Sequence, residues 1–184
     1  MLRMINERNL YNVVGTVSIA LVSVIANAGD IKVMECNQLI GSINELEPVV
    51  AEFVNKSDQL GDGFKKAKDL DEIQQLAGES AQEFNRFAGE LDSITQDIKL
   101  INLTDKQLNS LKNRYAQTGE DLSQGIRDMA QVLISLTQVE VTQEGLEQLN
   151  TIESDIDSIG ESLDSAGDAS DKIVDQINSY CGAK

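Results

Sequence analysis

From Cys36 onward apolar residues recur at alternating steps of three and four: Cys36, Leu39, Ile43, Leu46, Val50 and Phe53, then Ser57 and Leu60. This spacing returns to one face of an α-helix, not to the alternating faces of a strand. Pro48 interrupts the segment and is expected to kink it or split it in two, because proline lacks an amide donor and collides with the preceding turn. Gly61-Asp62-Gly63 is expected to end it.

Three more stripes follow. The second runs through Leu70, Ile73, Ala77, Phe84, Phe87, Leu91, Ile94, Ile98 and Ile101, and Asn102-Leu103 breaks it. Thr104 with Gln107 reads as a capping box that opens the third stripe, Leu108, Leu111, Tyr115, Leu122, Ile126, Met129, Leu133 and Leu136. The fourth is Leu149, Ile152, Ile156, Ile159, Leu163, Ala166, Ile173, Ile177 and Tyr180, with Thr142 as its cap. The breaks near residues 102 and 141 span only a few residues, which makes the flanking helices antiparallel neighbours. The pattern therefore predicts an all-α, elongated, antiparallel up-down-up-down four-helix bundle.

The first 28 residues do not share this pattern. Arg3 and Arg8 precede an uncharged, mostly apolar run from Val13 to Ile25, and Ala26-Asn27-Ala28 has the small-x-small form of a cleavage site. We read residues 1–28 as a secretory signal peptide and 29–184 as the bundle domain. An uncleaved anchor is the alternative, since the uncharged stretch from Asn9 approaches a membrane span in length. Removing residues 1–28 takes away Arg3, Arg8 and Glu7, a net +1, and moves the formal charge from −16 to −17. We expect a periplasmic or extracellular location.

Export gives meaning to the two cysteines. In an up-down-up-down bundle the start of the first helix and the end of the fourth lie together, so Cys36 and Cys181 are expected to form a disulfide. Closing a loop of 145 positions is worth on the order of 4 kcal/mol in the chain-entropy view.

Composition narrows the chemistry. The chain has no histidine, which removes the usual general base, the Glu-x-x-His pairs of di-iron bundles and most zinc sites. Lys+Arg number 15 against 31 Asp+Glu, a balance that repels nucleic acid and anionic lipid headgroups. The densest acidic run, Asp155, Asp157, Glu161, Asp164, Asp168 and Asp171, interleaves with the fourth apolar stripe and belongs to a solvated helix face. Asp58 to Asp69 has Gly63 at the sixth position of a calcium loop, but Leu60 and Lys66 fall where ligands are needed. No phosphate-binding glycine loop and no G-x-S-x-G is present. We expect no enzyme, no cofactor and no metal.

Two further features point to function. Folding the chain at its three turns brings Gly41-Ser42, Ala88-Gly89, Thr118-Gly119 and Ala166-Gly167 to one level, where small side chains leave either a tight waist or a pocket. The pocket would be lined by Phe84, Phe87, Ala88, Tyr115, Gly119 and Ala166. Separately, Leu103-Thr104-Asp105-Lys106-Gln107 resembles the Leu-Thr-x-x-Gln element of the small helical periplasmic stress chaperones, a similarity of five residues that implies a chaperone-like role. The main expectation is a non-enzymatic module whose acidic helix faces bind another extracytoplasmic protein, a basic one by charge. Alternatives are a small-ligand carrier or sensor and the chaperone-like role. Membrane contact is expected only through an uncleaved N-terminal segment, and long amphipathic helices are also compatible with a homodimer.

Overall fold

The computed structural model describes residues 31–182, and every regular element among them is an α-helix: α1 (Ile31–Asn44), α2 (Glu47–Lys66), α3 (Leu70–Leu100), α4 (Lys106–Leu136) and α5 (Gln143–Cys181). The signal peptide predicted for residues 1–28 lies outside the described residues. None of the described helices is long and apolar enough to cross a membrane.

The first apolar segment is split, and Pro48 accounts for the split. Proline in the first turn of α2 cannot bond the carbonyl four residues back, and its ring excludes a continuous helix through Asn44. The chain crosses residues 45–46 in a short turn in which the Leu46 N–H bonds the Ile43 carbonyl at 3.1 Å and the Val50 N–H bonds that of Leu46 at 3.0 Å. Gly61-Asp62-Gly63, expected to end this segment, does not: α2 runs on to Lys66. The glycine serves packing instead, since a Cβ on Gly63 would stand 3.2 Å from the Leu76 side chain of α3.

Local signals set the other boundaries. Asp69 caps α3 by accepting the Glu72 N–H at 2.9 Å, and the Glu72 carboxylate accepts the Lys68 N–H at 2.8 Å. Thr142 caps α5 as expected, accepting the Gly145 N–H at 3.0 Å. The expected Thr104 cap of α4 is corrected by one residue. Asp105 holds the Gln107 and Leu108 amides at 2.9 Å, because a carboxylate outcompetes a hydroxyl for amides at a helix start, and Thr104 is turned to another partner. At the end of α3 the buried Lys112 puts its ammonium on the Lys99 and Ile101 carbonyls, 2.9 Å each, which satisfies acceptors that the helix itself leaves open.

The core follows the stripes. Leu39, Phe87, Ile98, Leu108, Leu133 and Ile177 are almost fully buried, so each helix except α2 contributes at least one of the most deeply buried large side chains. Helix α4 packs along both α3 and α5, α2 packs on α3, and α1 touches α3, α4 and α5. Four helical arms thus pack against each other, the first of them broken. At 1.5 Å per residue, the 39 residues of α5 span about 58 Å. Between α2 and α3, Arg86 reaches Glu52 at 2.8 Å in an exposed, solvent-screened pair of little net worth. Phe53 against Phe84 and Phe87, at centroid distances of 5.1 and 5.7 Å, adds about 0.5–1.5 kcal/mol per ring pair beyond its area burial and is the stronger tie.

Two glycines let α4 approach its neighbours. A Cβ on Gly119 would lie 2.5 Å from Thr95 Oγ1 of α3, and one on Gly125 would lie 2.6 Å from Leu163 Cδ2 of α5. Gly119→Ala gains about 1 kcal/mol of helix propensity but forces a methyl into the branched, buried Thr95, an overpacking cost of about 1–3 kcal/mol. We expect the single variant to unfold at lower urea than the parent. Thr95→Ala in the same chain should recover most of the loss, and a Gly119→Ala chain as stable as the parent would show that this contact is not tight.

Candidate functional site

Charge is segregated by helix. Between residues 143 and 181, α5 carries ten acidic residues (Glu144, Glu147, Glu153, Asp155, Asp157, Glu161, Asp164, Asp168, Asp171, Asp175) against Lys172, so its net charge is 1 − 10 = −9. Its apolar stripe, Ile152, Ile156, Leu163, Ile173 and Ile177, is buried, and the helical period turns Asp155, Glu161, Asp168 and Asp175 outward, all of them exposed. The ion pairs tying the other helices together use carboxylates of α2, α3 and α4: Glu52, Glu83 and Glu90 around Arg86, Asp92 with Arg127, and Glu120 with Lys99. Among the described residues, α5 is therefore the helix with the largest net negative charge.

Crowding on that face is visible at one residue. Partial burial raises the Asp171 carboxyl above its ordinary value, with the neighbouring Asp175 and Asp168 adding to the effect. Among the described residues no group of three or more His, Cys, Asp or Glu side chains is gathered so as to hold a metal ion. The carboxylates form an extended field, suited to a surface with matching positive charge.

The predicted residues fall in two places. Cys36 and Cys181 meet at disulfide geometry with Cα atoms 5.8 Å apart, although 145 positions separate them in sequence. Phe84, Phe87 and Ala88 are buried on α3, where the two rings pack on Phe53. Tyr115 is buried on α4, bonded to Ser170, and desolvation pushes its hydroxyl up to about 12. Gly119 is buried and Ala166 half-buried. The structure does not bring the six pocket residues to one level. Gly119 faces Thr95 and not Ala88, a register two helical turns away from the expected one. Phe87 is eight residues before Thr95 and Tyr115 a further turn beyond Gly119 in the opposite sense, so rings and tyrosine stand roughly 18 Å apart along the axis. Gly41 and Gly89, also assigned to the small layer, are exposed.

One node escaped the sequence reading. The buried Glu35 carboxylate accepts the Thr104 N–H at 2.7 Å, the Thr104 hydroxyl at 2.6 Å and the Asp105 N–H at 3.0 Å. Asp105 in turn accepts the Tyr180 hydroxyl at 2.6 Å, and the Lys32 ammonium sits 3.8 Å from the centre of the Tyr180 ring. The start of α1, the start of α4 and the end of α5 are thereby joined beside the cysteine pair. Hydrogen bonds from Thr104 and Asp105 hold Glu35 below the usual carboxylate range, and the Tyr180 hydroxyl with the α4 amides does the same for Asp105. A lowered carboxylate stabilises the fold above its unfolded value, about 4, and that contribution is lost as the pH falls through the folded value. The only trace in the sequence is that Glu35 adjoins Cys36.

The chain matches no protein-family model, no curated protein and no solved structure. What the fold and face define is a class: an all-helical, acidic chain with a cysteine pair at disulfide geometry.

Asp171 has the opposite sign to Glu35. Its raised carboxyl means that the folded chain disfavours the charge, a cost present at neutral pH and absent below about 3.8, where the unfolded group also keeps its proton. Asp171→Asn should raise the melting temperature at pH 7 in low salt and leave it unchanged near pH 3. A fall at pH 7 would mean that the charge is useful where it stands.

Proposed function

We propose that the chain is a non-enzymatic, extracytoplasmic interaction module, an antiparallel up-down-up-down bundle that offers the acidic face of α5 to a basic partner protein. The observation that carries this reading is the net charge of −9 on α5 together with the exposure of Asp155, Glu161, Asp168 and Asp175. The topology is supported by contacts at both ends: Gln74 of α3 bonds the Val139 carbonyl beyond α4 at 2.7 Å, and Glu35 of α1 bonds the residues that open α4. The compartment is supported by the cysteine pair, since such bridges persist outside the reducing cytosol, and by the signal-like N-terminus. A small-ligand pocket at the small-residue layer has less support, because Gly119 lies level with Thr95 and not with Ala88.

Protein carrying Asp155→Asn, Glu161→Gln, Asp168→Asn and Asp175→Asn tests the face without touching the core. A basic protein crosslinked to the parent chain in the exported fraction should be lost from this variant, and its binding to the parent should weaken as salt is raised to about 0.5 M. Equal capture by parent and variant, or binding indifferent to salt, would refute the α5 face as the contact. Intact mass before and after reduction and alkylation checks the compartment: two alkyl groups taken up only after reduction are expected.

A further inference from the structure

Helix α1 is held differently from the other helices. Its polar and covalent fastenings lie within residues 32–36: Lys32 on Tyr180, Glu35 on Thr104 and Asp105, Cys36 with Cys181. At its other end is the short turn at residues 45–46, where Pro48 prevents a continuous helix and Leu46 opens α2 with no side-chain cap. A 14-residue helix is marginal by itself, so α1 depends on what it docks against. The rest of the fold has its own ties. Helix α4 packs along α3 and α5, with Lys112 closing the end of α3 and Asp92 bonding Ser123 and Arg127 across the α3–α4 seam.

We propose that α1 is a releasable strap, fastened across one end of the bundle by the Cys36–Cys181 bond and the Glu35 carboxylate and opened by thiol–disulfide exchange at Cys181. The two cysteine residues differ in exposure. Cys36 is 1% exposed, whereas Cys181 is half-buried in the last turn of α5, next to Gly182, whose φ of 74° turns the chain away from the helix. A thiolate of a dithiol reductant attacks the Cys181 sulfur, a mixed disulfide forms there and Cys36 leaves as a thiolate. The second thiol of the reductant then attacks its own sulfur in the mixed disulfide and Cys181 leaves. The reductant ends as its disulfide, two electrons have passed to the protein, and both cysteine thiolates take up protons. Release frees Leu39, Ile40 and Ile43 of α1 and opens the end of the bundle where Ile98, Ile101, Leu108 and Ile177 are buried. An apolar surface is thus stored under the strap, and its release does not depend on the partner proposed for α5.

Amide hydrogen exchange read peptide by peptide on the bridged protein, before and after a dithiol reductant, tests the strap. Reduction should speed exchange across residues 31–44 at least about tenfold and change residues 106–136 less than twofold. Cys36→Ser with Cys181→Ser should reproduce that pattern, and adding Glu35→Gln should speed residues 31–44 further. With a monothiol in place of the dithiol, peptide mapping should find the mixed disulfide on Cys181. Joint acceleration of residues 31–44 and 106–136, or no acceleration of 31–44, would overturn the proposal, because the bridge would then brace the whole bundle or nothing at all. A mixed disulfide found on Cys36 would overturn the assigned point of attack.

Discussion

Helix α4 must bury two faces at once, one against α3 and one against α5, and the rest of the fold is arranged around that demand. A helix with large side chains all round could not come close to both neighbours. Its buried residues therefore include Ala116, Gly119, Ser123, Gly125 and Ala130 beside Leu108, Leu111, Ile126 and Leu133. Where the side chain is missing, a neighbour fills the space: Thr95 against Gly119, Leu163 against Gly125. Of the polar groups this brings inside, Ser123 is paired with Asp92 and Lys112 with two carbonyls of the α3 terminus, whereas the Thr95 hydroxyl has no partner among the described residues. The small residues and the buried lysine are two answers to one packing problem.

The same arrangement sorts charge. Since α4 sits between two partners, some of its charged side chains reach across the seams, where Arg127 meets Asp92 and Arg114 meets Gln176. Helix α5 has the burden of one main neighbour and can dedicate the rest of its circumference to carboxylates. Self-repulsion along such a face works against a compact state and favours any cationic surface that relieves it.

Much of this was legible in the sequence because apolar spacing is a strong and redundant signal. Nearly every stripe residue, from Cys36 to Ile177, is buried or half-buried, and the split at Pro48, the Thr142 cap and the meeting of Cys36 with Cys181 follow from local chemistry plus topology. The failures share another cause. The register of α3 against α4 depends on the conformation of residues 101–105, and a five-residue loop can shift the pairing by two turns without disturbing either stripe; hence apolar spacing alone does not distinguish Ala88 from Thr95 as the neighbour of Gly119. Gly63 looked like a stop because glycine ends helices and also admits close neighbours, and only tertiary packing tells the two apart. Glu35 was illegible for the same reason, since its partners lie about 70 positions away.

The junction of Cys36 and Cys181 also sets how the molecule carries load. Everything that precedes residue 36 or follows residue 181 is attached at one corner of the bundle, with the two attachment points 5.8 Å apart at Cα. Tension applied between such flanking segments passes through a single covalent link and leaves the helices slack. Mechanically the folded part hangs beside the line of force like a bead on a clasp, and it would feel the pull only once that clasp had been chemically undone.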